Sequence, residues 1–155
     1  MHTRRDLLTQ SARVAAMLAA VGVLPTNALA QAGGYNAVAF EAKTMADVMK
    51  ALGGAAPTAS KDVTITGPDI AENGAVVPIG AATTLPGVKR ILILVEKNPS
   101  MLAALFDVTD AVDASISTRV KMGQSSNVLA VAMMGDGKVL YAQKEVKVTL
   151  GGCGG

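Results

Sequence analysis

The 155-residue chain has no tryptophan, two tyrosines, two phenylalanines, one histidine, one cysteine and only 17% charged residues. Each scarcity excludes something. The single histidine is His2, in a segment read below as a removable leader, so the mature chain has none. That excludes a Ser-His or Cys-His catalytic pair within the chain, and any His-ligated zinc, copper or haem site. The single cysteine, Cys153, excludes an intrachain disulfide and a CxxC motif. No metal or cofactor is expected. The formal charge of +2 also dissolves on inspection. Arg4, Arg5, Arg13 and Asp6 all fall in the leader, and without them Lys plus Arg and Asp plus Glu each number 11. A neutral chain without a basic cluster has no electrostatic footing for nucleic acid or for stable association with an anionic membrane.

What is present begins with that leader. Thr3-Arg4-Arg5-Asp6-Leu7-Leu8 precedes an apolar stretch over residues 14–24, broken by Pro25 and closed by Ala28-Leu29-Ala30. A charged start, a short apolar run and a small-x-small cleavage site form the layout of an export signal. The run is about 11 residues, against the roughly 20 that a membrane-spanning helix needs. Arg4 and Arg5, one residue before the Leu7-Leu8 pair, resemble the twin-arginine signal, whose route exports folded proteins. We therefore expect a signal over residues 1–30 and a mature chain of about 125 residues in a bacterial periplasm.

The body reads as one short helix followed by strands. Ala42, Met45, Ala46, Met49 and Leu52 recur at spacings of three and four, placing one apolar stripe on one helix. Thr44 and Asp47 give a capping box in its Asp form, and Gly53-Gly54 a stop. After Pro57, Val63 and Ile65 alternate with Thr64 and Thr66. Asn73-Gly74 turns the chain into Val76-Val77-Pro78-Ile79, and Pro86-Gly87 punctuates the next gap. Ile91-Leu92-Ile93-Leu94-Val95 is continuous and suits a central strand covered on both faces. Residues 102–108 read as a further strand. Ile116, Thr118, Val120 and Met122 alternate with polar neighbours, and residues 128–134 are apolar throughout. Gly135-Asp136-Gly137 then turns the chain into Val139-Leu140-Tyr141, and Val146, Val148 and Leu150 form a last alternation. Seven or eight short strands with regular turns predict an all-β fold, an immunoglobulin-like antiparallel β-sandwich over residues 31–150 with a short N-terminal helix. Asp107, Asp110 and Asp113 lack the glycine and the closing Glu of a calcium loop and read as a solvated acidic turn.

The chemistry concentrates at the C-terminus. Gly151-Gly152-Cys153-Gly154-Gly155 follows the last strand, and packing explains none of it. Glycine has the widest backbone freedom and no side chain, so residues 151–155 read as a thin, flexible arm carrying the only thiol. No Lys, Arg or His stands within the last seven residues, so the sequence supplies nothing to activate that thiol. Cys153 reads as a covalent attachment point served by other proteins' active sites, and not as a catalyst. Two residues rather than three follow it, which excludes prenylation. Ubiquitin-like sulfur carriers also end in Gly-Gly, but their cytosolic activation conflicts with export.

The twin-arginine leader, the neutral β-rich body and the terminal Gly-Gly-Cys-Gly-Gly together resemble the SoxY family, the sulfur-carrier subunits of the thiosulfate-oxidising Sox system. The resemblance implies a heterodimer with SoxZ, exported with it in folded form. It implies that Cys153 is joined oxidatively to thiosulfate by the SoxAX cytochrome, that the SoxB hydrolase releases sulfate, and that the SoxCD dehydrogenase, where present, oxidises the remaining persulfide. It assigns covalent attachment to Cys153 and the swinging arm to Gly151, Gly152, Gly154 and Gly155. The competing reading is a periplasmic adaptor cross-linked to a partner through Cys153, which the adduct on that sulfur would distinguish.

Overall fold

The computed structural model describes residues 36–149; the leader with Arg4 and Arg5, and residues 150–155 with Cys153 and its four glycines, lie outside the described residues. Two helices come first, α1 (Ala37–Glu41) and α2 (Met45–Leu52). Nine strands follow: β1 (Thr58–Ala59), β2 (Val63–Thr66), β3 (Ile70–Ala71), β4 (Val77–Thr83), β5 (Val88–Val95), β6 (Leu102–Asp107), β7 (Ser115–Val120), β8 (Ser126–Met134) and β9 (Val139–Val148). The larger sheet runs β1-β9-β8-β5-β6, with β3 also pairing with β9, and the smaller runs β2-β4-β7. The fold is the expected immunoglobulin-like β-sandwich. All its long pairings are antiparallel, and the two-residue strands β1 and β3 add to β9 in parallel.

Alternation along the two central strands organises the core. Ile91, Ile93 and Val95 of β5, with Val128, Ala130 and Ala132 of β8, face the smaller sheet and pack with Val77, Ile79 and Ala81 of β4. Leu92 and Leu94, with Leu129, Val131 and Met133, face the other way and meet Ala39, Ala42, Val48 and Met49. The period-2 pleat thus sends one apolar run into two cores. The helices form a third layer, which is why the five-residue apolar run could be continuous: neither face meets water.

The helical segment differs from the single expected helix. Asn36 caps α1, its Oδ1 accepting the Ala39 N–H at 3.0 Å, and its amide nitrogen donates to the Ala51 carbonyl at 3.0 Å. The chain then leaves helical geometry at Ala42 (ψ 140°). Thr44 starts α2 by the expected capping box: its Oγ1 accepts the Asp47 N–H at 3.1 Å and meets Asp47 Oδ2 at 2.6 Å. Gly53 ends it in the left-handed region at φ 71°, where a Cβ would be strained. The buried face is Val48 and Met49, flanked by half-buried Met45, Ala51 and Leu52; Ala46, expected on that stripe, is exposed. Ala42 is buried, but as the residue after α1 rather than as part of α2.

Two corrections concern strands. Residues 139–141 and 146–148, read as parts of separate strands, lie in the one ten-residue strand Val139–Val148, because β8 pairs continuously from Met133↔Val139 to Ser126↔Val146; Leu150 lies outside the described residues. Strands β1 and β3 carried no readable pattern, being two residues each.

Candidate functional site

The functional question is how the fold presents the chain end. Strand β9 runs to one end of the sandwich, where Ser126, the first residue of β8, pairs with Val146. Beyond that point β8 supplies no further ladder, yet the last two residues of β9 and the following Thr149 are still held. On one side β3 takes them: Lys147 N–H donates to the Asp69 carbonyl at 2.9 Å, and Thr149 N–H to the Ala71 carbonyl at 3.1 Å. On the other side the Ser125 hydroxyl stands in for the missing backbone. Its Oγ accepts the Val148 N–H at 2.9 Å and lies 3.4 Å from the Val148 carbonyl oxygen. Asp69 is further tied to Lys144 at 2.7 Å, and the ammonium holds its carboxyl below the usual carboxylate range.

A turn buttresses the same place. Asn73 Oδ1 accepts the Ala75 N–H at 2.9 Å, and the Gly74 carbonyl accepts the Met122 N–H at 2.7 Å. Gly74 is needed there by proximity alone: a Cβ would run into the Met122 carbonyl oxygen and lie 2.9 Å from Val148 Cγ1. The described chain is thus pinned on both edges and from beneath up to Thr149, the residue before Leu150. From Thr149 to Cys153 is four residues, at most about 14 Å of extended backbone.

The electrostatics of this root are balanced. Lys144 is engaged by Asp69, while Glu72 and Lys147, one of each sign, are exposed. Among the described residues no group of three or more His, Cys, Asp or Glu could hold a metal ion, and no helix is long and apolar enough to cross a membrane. The acidic residues of the β6–β7 region are engaged singly, Asp107 with Arg90 at 2.7 Å and Asp110 with Lys89 at 3.8 Å. A cavity of about 760 Å³ opens beside them, walled by the β4–β5 and β6–β7 connections, at the opposite end of the sandwich from the root.

The sequence singled out the thiol and its glycines, which lie outside the described residues, and gave no sign of the residues that hold the strand end before them. Asn73-Gly74 was visible as a turn, without indication that it props β9. Ser125 left no signal, because a serine before an apolar strand looks like any loop serine.

The fold and this clamped strand end define the class: an immunoglobulin-like sandwich whose last strand delivers a cysteine-bearing chain end. Comparison with known proteins makes it specific. The sequence profile of the family described as "Sulfur oxidation protein SoxY" matches residues 48–153, about two thirds of the chain, and its match includes Cys153. The structure of the sulfur carrier protein SoxY from Chlorobium limicola f thiosulfatophilum is 36% identical, covers 70% of this chain and 97% of its own, and superposes with a TM-score of 0.62. The superoxide reductase (neelaredoxin) of Ignicoccus hospitalis, 14% identical with a TM-score of 0.51 over 56% of this chain and 79% of its own, shares the fold alone. No functionally curated protein matches the chain. The chain belongs to the SoxY family of sulfur-oxidation carriers.

Proposed function

We propose that the chain is the periplasmic carrier of thiosulfate oxidation, holding each sulfur intermediate covalently on Cys153 while partner enzymes act on it in turn. In the first step the Cys153 sulfur bonds to the sulfane sulfur of thiosulfate. One proton leaves the thiol and two electrons pass to the SoxAX cytochrome, giving a cysteine S-thiosulfonate. Water then cleaves the sulfur–sulfonate bond in SoxB, releasing sulfate and a proton and leaving the persulfide. Where SoxCD is present it takes six electrons from that persulfide, three waters supplying the oxygens and releasing seven protons, to give cysteine S-sulfonate; hydrolysis of its sulfur–sulfonate bond then releases a second sulfate and returns the thiol. SoxZ is the stable partner, exported with this chain under the leader that carries Arg4 and Arg5.

One observation carries the reading: the family match extends to Cys153, and the described chain is clamped to within four residues of it. A firm base and a glycine-flanked thiol suit a group that visits several active sites, because only the short segment between them has to reorient. A sequence with no Lys, Arg or His within its last seven residues suits a sulfur whose chemistry is supplied by its partners. The test is a non-reducing mass spectrum of the tryptic peptide 148–155 from protein of thiosulfate-grown cells. A thiosulfonate or persulfide on Cys153 is expected. A free thiol, or only a disulfide to another chain, would overturn the reading in favour of the adaptor.

A further inference from the structure

We infer that the open edge of β6 pairs with β6 of a second copy of this chain, antiparallel about Phe106, so that the two larger sheets join into one. The inference stands apart from the carrier reading. It starts from how the chain treats its sheet edges. The outer edge of β9 is capped by β1 and β3. β7, an edge of the smaller sheet, is rich in Ser and Thr and carries Arg119. β6 has neither device. It ends the larger sheet with β5 as its one paired neighbour among the described strands, and its sequence Leu-Ala-Ala-Leu-Phe-Asp holds no Lys, Arg or Pro. Such an edge is a template for another strand.

The register shows which groups the edge offers. Val108 N–H donates to the Lys89 carbonyl at 2.8 Å, and Arg90↔Asp107, Ile91↔Phe106 and Leu92↔Leu105 continue that pairing. Bonded and non-bonded pairs alternate in an antiparallel ladder. Phe106 therefore bonds to β5, while Leu105 and Asp107 turn their N–H and C=O groups outward. No described residue takes those four groups. Only an extended backbone matches their spacing, and a second β6 does so about a twofold axis at Phe106. Leu105 of each copy then faces Asp107 of the other, and the edge groups of both copies are all satisfied. The two Phe106 side chains meet in the intervening non-bonded pair, where cross-strand neighbours lie closest. Leu105 and Phe106 are only half-buried within one copy, which leaves apolar surface for the other to cover. Asp107 lies opposite Leu105 and not opposite itself, and its carboxylate is already held by Arg90 at 2.7 Å.

The topology then places the arms. β6, β5, β8 and β9 are successive antiparallel neighbours, so the two copies of β9 run in opposite directions and finish at opposite ends of the joined sheet. They lie seven strand spacings apart, roughly 34 Å, and each thiol reaches at most about 14 Å beyond Thr149. The two Cys153 thiols of one dimer therefore cannot join in a disulfide.

The test is sedimentation velocity of the full chain under reductant over a dilution series, with residue-resolved amide hydrogen exchange at both concentration limits. A dimer that dissociates on dilution is expected, with the Leu105 and Asp107 amides at least about tenfold more protected in the dimer. Asp107→Pro removes an outward N–H without touching the β5 ladder and should raise the dimer Kd about thirtyfold. Asp107→Asn, which keeps the N–H, should leave the Kd within about twofold. A chain that is monomeric throughout would overturn the inference, as would a dimer whose Leu105 and Asp107 amides stay unprotected. A different subunit that protects those two amides while the chain alone stays monomeric would take the edge for itself and overturn the inference too. Should Asp107→Pro misfold, exchange at the two wild-type amides decides.

Discussion

Replacing Ser125 by Ala tests whether the strand end is held as described. The substitution removes the acceptor of the Val148 N–H, a hydroxyl at 2.9 Å, and the weaker contact from the same hydroxyl to the Val148 carbonyl at 3.4 Å. Val148 is half-buried, so water replaces the lost partner incompletely. Leaving such an amide unsatisfied costs about 1–2 kcal/mol, and over the opening equilibrium of a strand end that is about a 5- to 30-fold change. The assay is native-state amide hydrogen exchange resolved by residue. Val148 should lose about tenfold in protection, and Thr149 should follow as the strand end opens away from Ala71. Amides in the middle of β8 and β9, held by the ladder from Ser126↔Val146 to Met133↔Val139, should keep theirs. Unchanged exchange at Val148 would refute the clasp. An equal loss of protection throughout β8 would show that Ser125 supports the whole domain and has no special hold on the arm.

The other predictions are brief. Gly152→Val and Gly154→Val should leave the circular dichroism spectrum and melting temperature unchanged while impairing turnover with the partner enzymes; full turnover would show that the arm's thinness is irrelevant. Asp69, whose pKa is lowered by Lys144 from the ordinary 3.8, contributes stability that is present above that value and lost as pH falls through its depressed pKa. In urea titrations Asp69→Asn should therefore flatten the acid limb of the stability profile below about pH 4; a limb of unchanged slope would mean that the pair with Lys144 does not persist in solution. Leu94→Ala, at a fully buried position between the larger sheet and the helices, should cost about 2–5 kcal/mol in chemical denaturation. A loss below about 1 kcal/mol would show that the helical layer packs loosely.

The legible parts of the fold were those where local pattern and tertiary role agree. The Ile91–Val95 run announced a doubly covered strand because no amphipathic alternation was left for a wet face, and the structure covers it with a sheet on one side and helices on the other. Thr44, Asp47 and Gly53 announced both ends of α2 because capping is a property of a few adjacent residues. The break between α1 and α2 was not legible. It depends on Asn36 reaching forward to both Ala39 and Ala51, and on Ala42 giving its carbonyl to the distant Met101 N–H at 3.2 Å. The middle of β9 failed for a related reason. Ala142, Gln143, Lys144 and Glu145 have little strand preference, and pairing with β8 imposes extension on them, as context overrides propensity in sheets generally. At the site, Cys153 and its glycines stood out because nothing in packing accounts for them. The clasp did not, because Ser125 and Ala71 meet β9 only once β3, β8 and β9 are assembled.

The layered core also bears on why the thiol hangs from β9 and not from another strand. β9 is the longest strand of the described chain, bonded by β8 from Val139 to Val146 on one edge and by β1 near its start and β3 at its end on the other. Its far end therefore moves with the body of the domain. A force or displacement at the chain end, such as an enzyme drawing Cys153 into its site, is taken up by the inter-strand bonds of both edges in shear. Had the same five residues followed β6 or β7, which end their sheets with one paired neighbour among the described strands, the pull would fall on a single ladder. Peeling the edge strand would then compete with reorienting the arm. Anchoring on β9 holds the described chain in place as far as Thr149.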